Sequence, residues 1–172
     1  MSLKYKNGDD VSDSVGLLIS ILVRYPEIGT INFDPQSHEL KLTFIVAGTF
    51  NELEINSFTK QLMDSVKVYH QLEKIKAKKL AIEWQTSDNY TIVDMKRDVD
   101  SLYRKELSFI IELFGVHFNQ TLVAEINDDI WEEDIVAQDE LIGNMLENMK
   151  NVMPDKKLIA YREEGKVLVF NK

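Results

Sequence analysis

The chain has 172 residues, 44% of them apolar and 28% charged, with a formal charge of −9 and no cysteine. This is the composition of a globular protein large enough to bury a core, and it excludes disulfides, cysteine-ligated metal centres and a thiol nucleophile. The negative balance argues against a general nucleic-acid or anionic-membrane binder, because attraction to phosphate needs a positive face.

Val11, Val15, Leu18, Ile19, Leu22 and Val23 recur at helical spacing, with Asp10 as N-cap. They predict a helix that stops at Tyr25, ahead of Pro26. The uncharged stretch Val15 to Val23 is nine residues long, short of the roughly twenty that a membrane span needs. Asp9, Asp10 and Asp13 precede it, which does not suit a signal peptide. The expectation is a cytoplasmic protein that makes no use of a membrane.

Thr30 to Phe33 and Leu40 to Ala47 read as a hairpin around Asp34–Pro35–Gln36–Ser37. Thr49 and Glu52 have the spacing of a capping box. They open a helix whose apolar stripe runs Ile55, Phe58, Leu62, Val66 and Tyr69, continued by Leu72 or Ile75. Leu80, Ile82 and Trp84 then alternate, Thr86 to Asn89 turn, and Tyr90 to Met95 return. A third helix carries Val99, Leu102, Tyr103, Leu107, Ile110, Ile111 and Phe114, closed by Gly115 at C′. Thr121 to Ile126 is a lone strand candidate, and a fourth helix runs from about Asp129 to Lys150. Leu158 to Tyr161 and Val167 to Phe170 form a last hairpin across Glu163–Glu164–Gly165.

Helices that follow hairpins imply an α+β fold, an antiparallel sheet with about four helices packed on it. No linker rich in proline, glycine or serine divides the chain, so residues 1–172 read as a single domain. A duplicated helix–hairpin unit fits the order of elements. If Leu3 to Lys6 is a strand, residues 3–85 also fit a ferredoxin-like order, with 90–170 as a second, imperfect half.

The seven glycines are nowhere closer than eight residues apart, so neither a Walker loop nor a dinucleotide fingerprint is present. His70 and Glu73 stand one turn apart on the polar side of the second helix, where the expected arrangement is a surface pair and no third metal ligand is recognisable. No residue is assigned a catalytic role.

Charge is unevenly spread. Residues 106–149 contain eleven acids and no lysine or arginine, whereas the remaining chain has 20 basic against 18 acidic residues, net +2. The core of the block is Asp128–Asp129–Ile130–Trp131–Glu132–Glu133–Asp134. Dipole complementarity at the start of the fourth helix, at about 0.3–1 kcal/mol per contact, accounts for a few of these acids. Trp131, Glu132, Glu133 and Asp134 would also offer an aromatic face and a negative rim to a basic protein segment. Lys60, Lys67 and Lys74, seven apart on the second helix, could supply that partner, within the chain or from a second copy. Asp128, Asp129, Glu132 and Glu133 are alternatively oxygen ligands for a divalent metal in a small metal-dependent enzyme, a divalent cation being the one cofactor these residues admit. The leading expectation is a non-catalytic interaction or regulatory module whose acidic segment meets a basic partner.

Overall fold

Alternating burial along the strands sets the architecture. The computed structural model describes residues 9–124, 132–150, 152 and 154–171. In chain order these form α1 (Asp9–Arg24), β1 (Thr30–Asp34), β2 (Glu39–Ala47), α2 (Glu52–Glu73), β3 (Leu80–Thr86), β4 (Tyr90–Asp98), α3 (Arg104–His117), α4 (Glu132–Lys150), β5 (Leu158–Glu163) and β6 (Lys166–Asn171). The strands make one antiparallel sheet in the order β3-β4-β2-β1-β5-β6, so three sequential hairpins are joined by β2 to β4 and by β1 to β5. The fold is α+β.

Leu40, Leu42, Phe44 and Val46 of β2 are buried while the residues between them are half-exposed. Val93, Met95 and Arg97 of β4 share the buried face. The helices cover that face, since successive strand side chains point to opposite sides. Phe114 of α3 stacks on Phe44 with centroids 3.9 Å apart, and Phe58 of α2 meets Trp84 edge-on. α1 packs on β1, β5, β6 and α4. Its Leu17, Leu18, Ile21 and Leu22 have almost no exposure, each worth about 1.5–3 kcal/mol on burial. Gly16 of α1 faces Met145 of α4, whose Cε would stand 2.9 Å from a Cβ at that position and would have to swing aside. Arg162 of β5 donates to the Leu22 and Tyr25 carbonyls, at 2.6 and 2.7 Å, and to that of Ile28. It thereby satisfies acceptors that the end of α1 leaves open.

Several boundaries differ from the sequence expectations. The capping box of α2 is Asn51 with Glu54, two residues beyond Thr49 and Glu52. Gly48 holds a φ of 93° and shifts the start of the helix along the chain. α2 stops at Glu73, where Lys74 takes the left-handed conformation, and Leu72 is 77% exposed. α3 begins at Arg104, because the Asp98 carboxylate accepts from the Ser101 N–H and hydroxyl and holds residues 98–101 in a turn. α3 also runs past Gly115 to His117, so that Phe118 closes on the aromatic cluster. Of the lone strand, residues 121–123 make only a bridge, Leu122 to Val46. They use the part of the β2 edge that β1 leaves free beyond Thr43, and residues 125–126 lie outside the described residues. β2 has β1 and β4 as neighbours, whereas a ferredoxin-like order would place the segment 3–6 beside it. The last hairpin turns through Glu164 and Gly165, both at positive φ, as a type I′ turn requires.

Candidate functional site

Three elements each send one polar side chain inward at the same level. On α2 the buried row Phe58, Leu62, Val66 continues at the same four-residue spacing to His70. On α3 Glu106 begins the row that continues to Ile110 and Phe114, and on β4 Arg97 follows Val93 and Met95 at the two-residue spacing of the buried face. They meet as an ion-pair network. The Arg97 guanidinium donates to both oxygens of Glu106, from Nη2 at 2.9 Å and from Nε at 2.5 Å. It also donates to Asp98, to Ser101 Oγ at 2.9 Å and to the Ser101 carbonyl at 2.8 Å. His70 Nε2 donates to Glu106 Oε1 at 2.7 Å. Arg97 is 1% and Glu106 0% exposed, so these charges persist by satisfying one another.

Asp98 anchors the network to the chain around it, accepting from the backbone N–H groups of Lys78 and Lys79 at 3.0 and 2.9 Å. Burial alone would push its carboxyl up. The hydrogen bonds from Ser101 and Lys79 and the Arg97 charge outweigh that and hold it below the ordinary carboxylate value. Beside it, His38 Nδ1 lies 2.9 Å from Asp100 Oδ1, and Lys78 Nζ donates to the other oxygen of Asp100 at 3.2 Å. His38 Nε2 is buried with no polar partner and its ring stands edge-on to Phe33. The His–Asp orientation is therefore that of a general base, but the free nitrogen faces protein interior.

Above the network opens a cleft of 540 Å³ between the end of α2, the first turn of α3 and α4. Tyr69, Lys74, Lys76, Tyr103, Lys105 and Glu147 are among its walls. Lys150 lies alongside, donating to the Leu102 carbonyl at 2.6 Å with its ammonium 4.4 Å from the Tyr103 ring centre. Burial pushes the Lys150 ammonium below the usual lysine value. A second hollow at the far end of the sheet is lined by Phe50, Leu53, Trp84, His117 and Phe118. There the His117 ring lies tilted against Phe58, with centroids 4.4 Å apart.

Of the residues that the sequence singles out, Asp128, Asp129 and Trp131 lie outside the described residues. Glu132 and Glu133 open α4, and Asp134 is exposed in its first turn. His70 and Glu73 do not form the expected surface pair. His70 turns inward to Glu106, while Glu73 faces the cleft. Lys60 pairs with Asp64 at 2.6 Å, and Lys74 caps α2. The acidic block divides into two uses. Glu106 is consumed by the network, and Asp139 accepts from Arg24 at 2.8 Å and faces Arg104 at 3.7 Å. Glu112, Asp134, Glu140 and Glu147 are exposed and make no ion pair with a described residue. On α4, Glu140 and Glu147 stand seven residues apart, hence on one face, with Val136 at 56% exposure one turn before Glu140. Among the described residues no three His, Asp or Glu side chains are placed to share a metal ion, and no helix is long and apolar enough to cross a membrane.

The sequence signal for the network was present in the row spacing. His70 lies four residues after Val66, Glu106 four before Ile110, and Arg97 two after Met95. Comparison of the chain with protein-family models, curated proteins and solved structures finds no match.

Proposed function

We propose that this protein is a non-catalytic interaction or regulatory module that presents its acidic segment and the outer face of α4 to a basic protein partner. One observation carries this reading. The acids of α4 that lie outward, Asp134, Glu140 and Glu147, make no ion pair with a described residue, and Val136 and Leu141 are exposed among them. A surface of one sign with apolar residues inside it draws a partner of the other sign and then holds it by burial. The buried ionisable groups support the same reading, because those of the Arg97 network are engaged with each other. The segment from Asp128 to Glu133, with Trp131, extends the same charge along the chain.

The test titrates an oligo-lysine peptide against the protein, following tryptophan fluorescence and heat, beside a glycine–serine peptide of equal length. Binding of the lysine peptide alone is expected, weakening steeply toward 1 M salt, where the Debye length falls to about 3 Å. A Glu140→Gln/Glu147→Gln variant is expected to lose several-fold in affinity, at about 0.2–1 kcal/mol per exposed charge. Equal response to both peptides overturns the proposal.

A further inference from the structure

The sheet ends in two strands of different character. β3 carries Glu83 in its centre, 63% exposed at the side chain and bonded to Lys96 across the strand pair. A charge there discourages another strand from adding to that edge. β6 has no such guard. Val167, Leu168, Val169 and Phe170 follow one another without a charge, proline or glycine, and every residue of β6 is in register with β5 from Lys166↔Glu163 to Asn171↔Leu158, with no bulge. Among the described residues no strand pairs with the outer edge of β6, so alternate N–H and C=O groups point outward along it.

We infer that β6 is a self-pairing edge, through which two copies of this chain join antiparallel, β6 to β6, about a two-fold axis normal to the sheet. Such an axis keeps like faces together, so paired residues must have the same parity. With Val169 on the axis it meets its own copy, Leu168 falls opposite Phe170, and Val167 falls opposite Asn171. Lys166 would fall opposite position 172, also a lysine, at the two outer ends of the ladder, where solvent and salt screen the pair. Leu168 and Phe170 both belong to the face without helices, opposite Tyr161 and Ile159. Phe170 already stacks on Tyr161, with centroids 5.7 Å apart, yet remains 50% exposed, and Leu168 of the second copy would cover it. Residues 158–172 hold Arg162, Lys166 and Lys172 against Glu163 and Glu164. The negative excess of the chain therefore lies elsewhere in the sequence and does not oppose this contact.

Sedimentation equilibrium between micromolar and near-millimolar concentration tests the inference on the unaltered chain. The expected result is a concentration-dependent rise from 19.9 kDa to twice that mass. Phe170→Lys, at a half-exposed position, is expected to sediment as the monomer with an unchanged circular dichroism spectrum. Because the chain has no cysteine, Val169→Cys and Leu168→Cys, oxidised separately, report the register: a covalent dimer is expected from Val169→Cys, which meets its own copy, and not from Leu168→Cys, which faces Phe170. A parent that stays at 19.9 kDa over the whole range overturns the inference, as does a dimer that Phe170→Lys leaves intact. A monomer whose β6 amides all resist hydrogen exchange also overturns it, and would show that another segment of the same chain covers this edge.

Discussion

Arg97→Met removes the guanidinium of the buried network while keeping much of the side-chain volume. In the parent, the guanidinium makes six hydrogen bonds, to Glu106, Asp98, Ser101 and the Lys79 carbonyl. The variant leaves the carboxylates of Glu106, 0% exposed, and Asp98, 3% exposed, without their counter-charge. Removing one member of a buried ion pair costs about 3–5 kcal/mol. For a chain of this size each kcal/mol lowers Tm by about 2–4 °C, which gives a fall of roughly 6–20 °C. Urea unfolding followed by far-ultraviolet circular dichroism reads the free energy directly, with the slope against urea as a check that the unfolded state is unchanged. A companion variant, His70→Leu/Arg97→Met/Glu106→Leu, replaces the whole group by apolar side chains and should recover much of the loss, since no charge is left behind. A loss under about 1 kcal/mol in Arg97→Met would refute the reasoning, because it would mean that water reaches the two carboxylates.

Asp98 titrates below its ordinary value of 3.8 in the folded chain. Its stabilisation is therefore fully present above the unfolded value and is lost as pH falls from there through the folded value. Unfolding free energy measured from pH 6 to pH 2 should fall below about pH 4, and Asp98→Asn should start lower at neutral pH and flatten that descent; parallel curves would count against the assignment. Asn51→Ala removes the capping box that Asn51 and Glu54 form at the start of α2, with an expected loss of about 1 kcal/mol in the same urea experiment, and an unchanged midpoint would place the cap elsewhere. The metal alternative for Asp128, Asp129, Glu132 and Glu133 is tested by Tm in EDTA and then in Mg²⁺, Mn²⁺, Ca²⁺ and Zn²⁺. The interaction-module proposal expects no ion-specific rise, whereas a rise of several degrees that Asp128→Asn/Asp129→Asn abolishes would assign the segment to a metal.

Local pattern carried the elements well. The alternation of Leu40 to Val46 and of Leu80 to Trp84, and the stripe Phe58, Leu62, Val66, are legible because each is set by neighbours in sequence. Which hairpin edges then join is not legible. The pairing of Thr30 with Tyr161 depends on contacts across most of the chain. The network escaped for a different reason. A polar residue on an amphipathic helix is read as outward-facing, which puts His70 with Glu73 and Glu106 among the solvated acids. The row spacing permits their inward direction, and only Arg97, on another element and standing between them, makes it stable. Of the proposed interaction surface, the sign of the charge is legible, and the structure adds which of its acids are exposed without an ion pair to a described residue.

The seat of β1 in mid-sheet governs the order in which the molecule can be made. Its outer neighbour, β5, is translated about 130 residues after it, on the order of ten seconds at typical rates of chain synthesis. Until then β1 is itself a terminal strand, with Ile31 and Phe33 in a sheet still missing its last hairpin. In refolding the same order is expected from loop closure, since β2–β4 joins residues about 50 apart and β1–β5 residues about 130 apart, and pulse-labelled exchange should protect the β2–β4 amides first. The vulnerable interval is thus built into the topology, and a holding chaperone that shields β1 in that interval should raise the yield of folded protein more than one that acts after the final hairpin has closed.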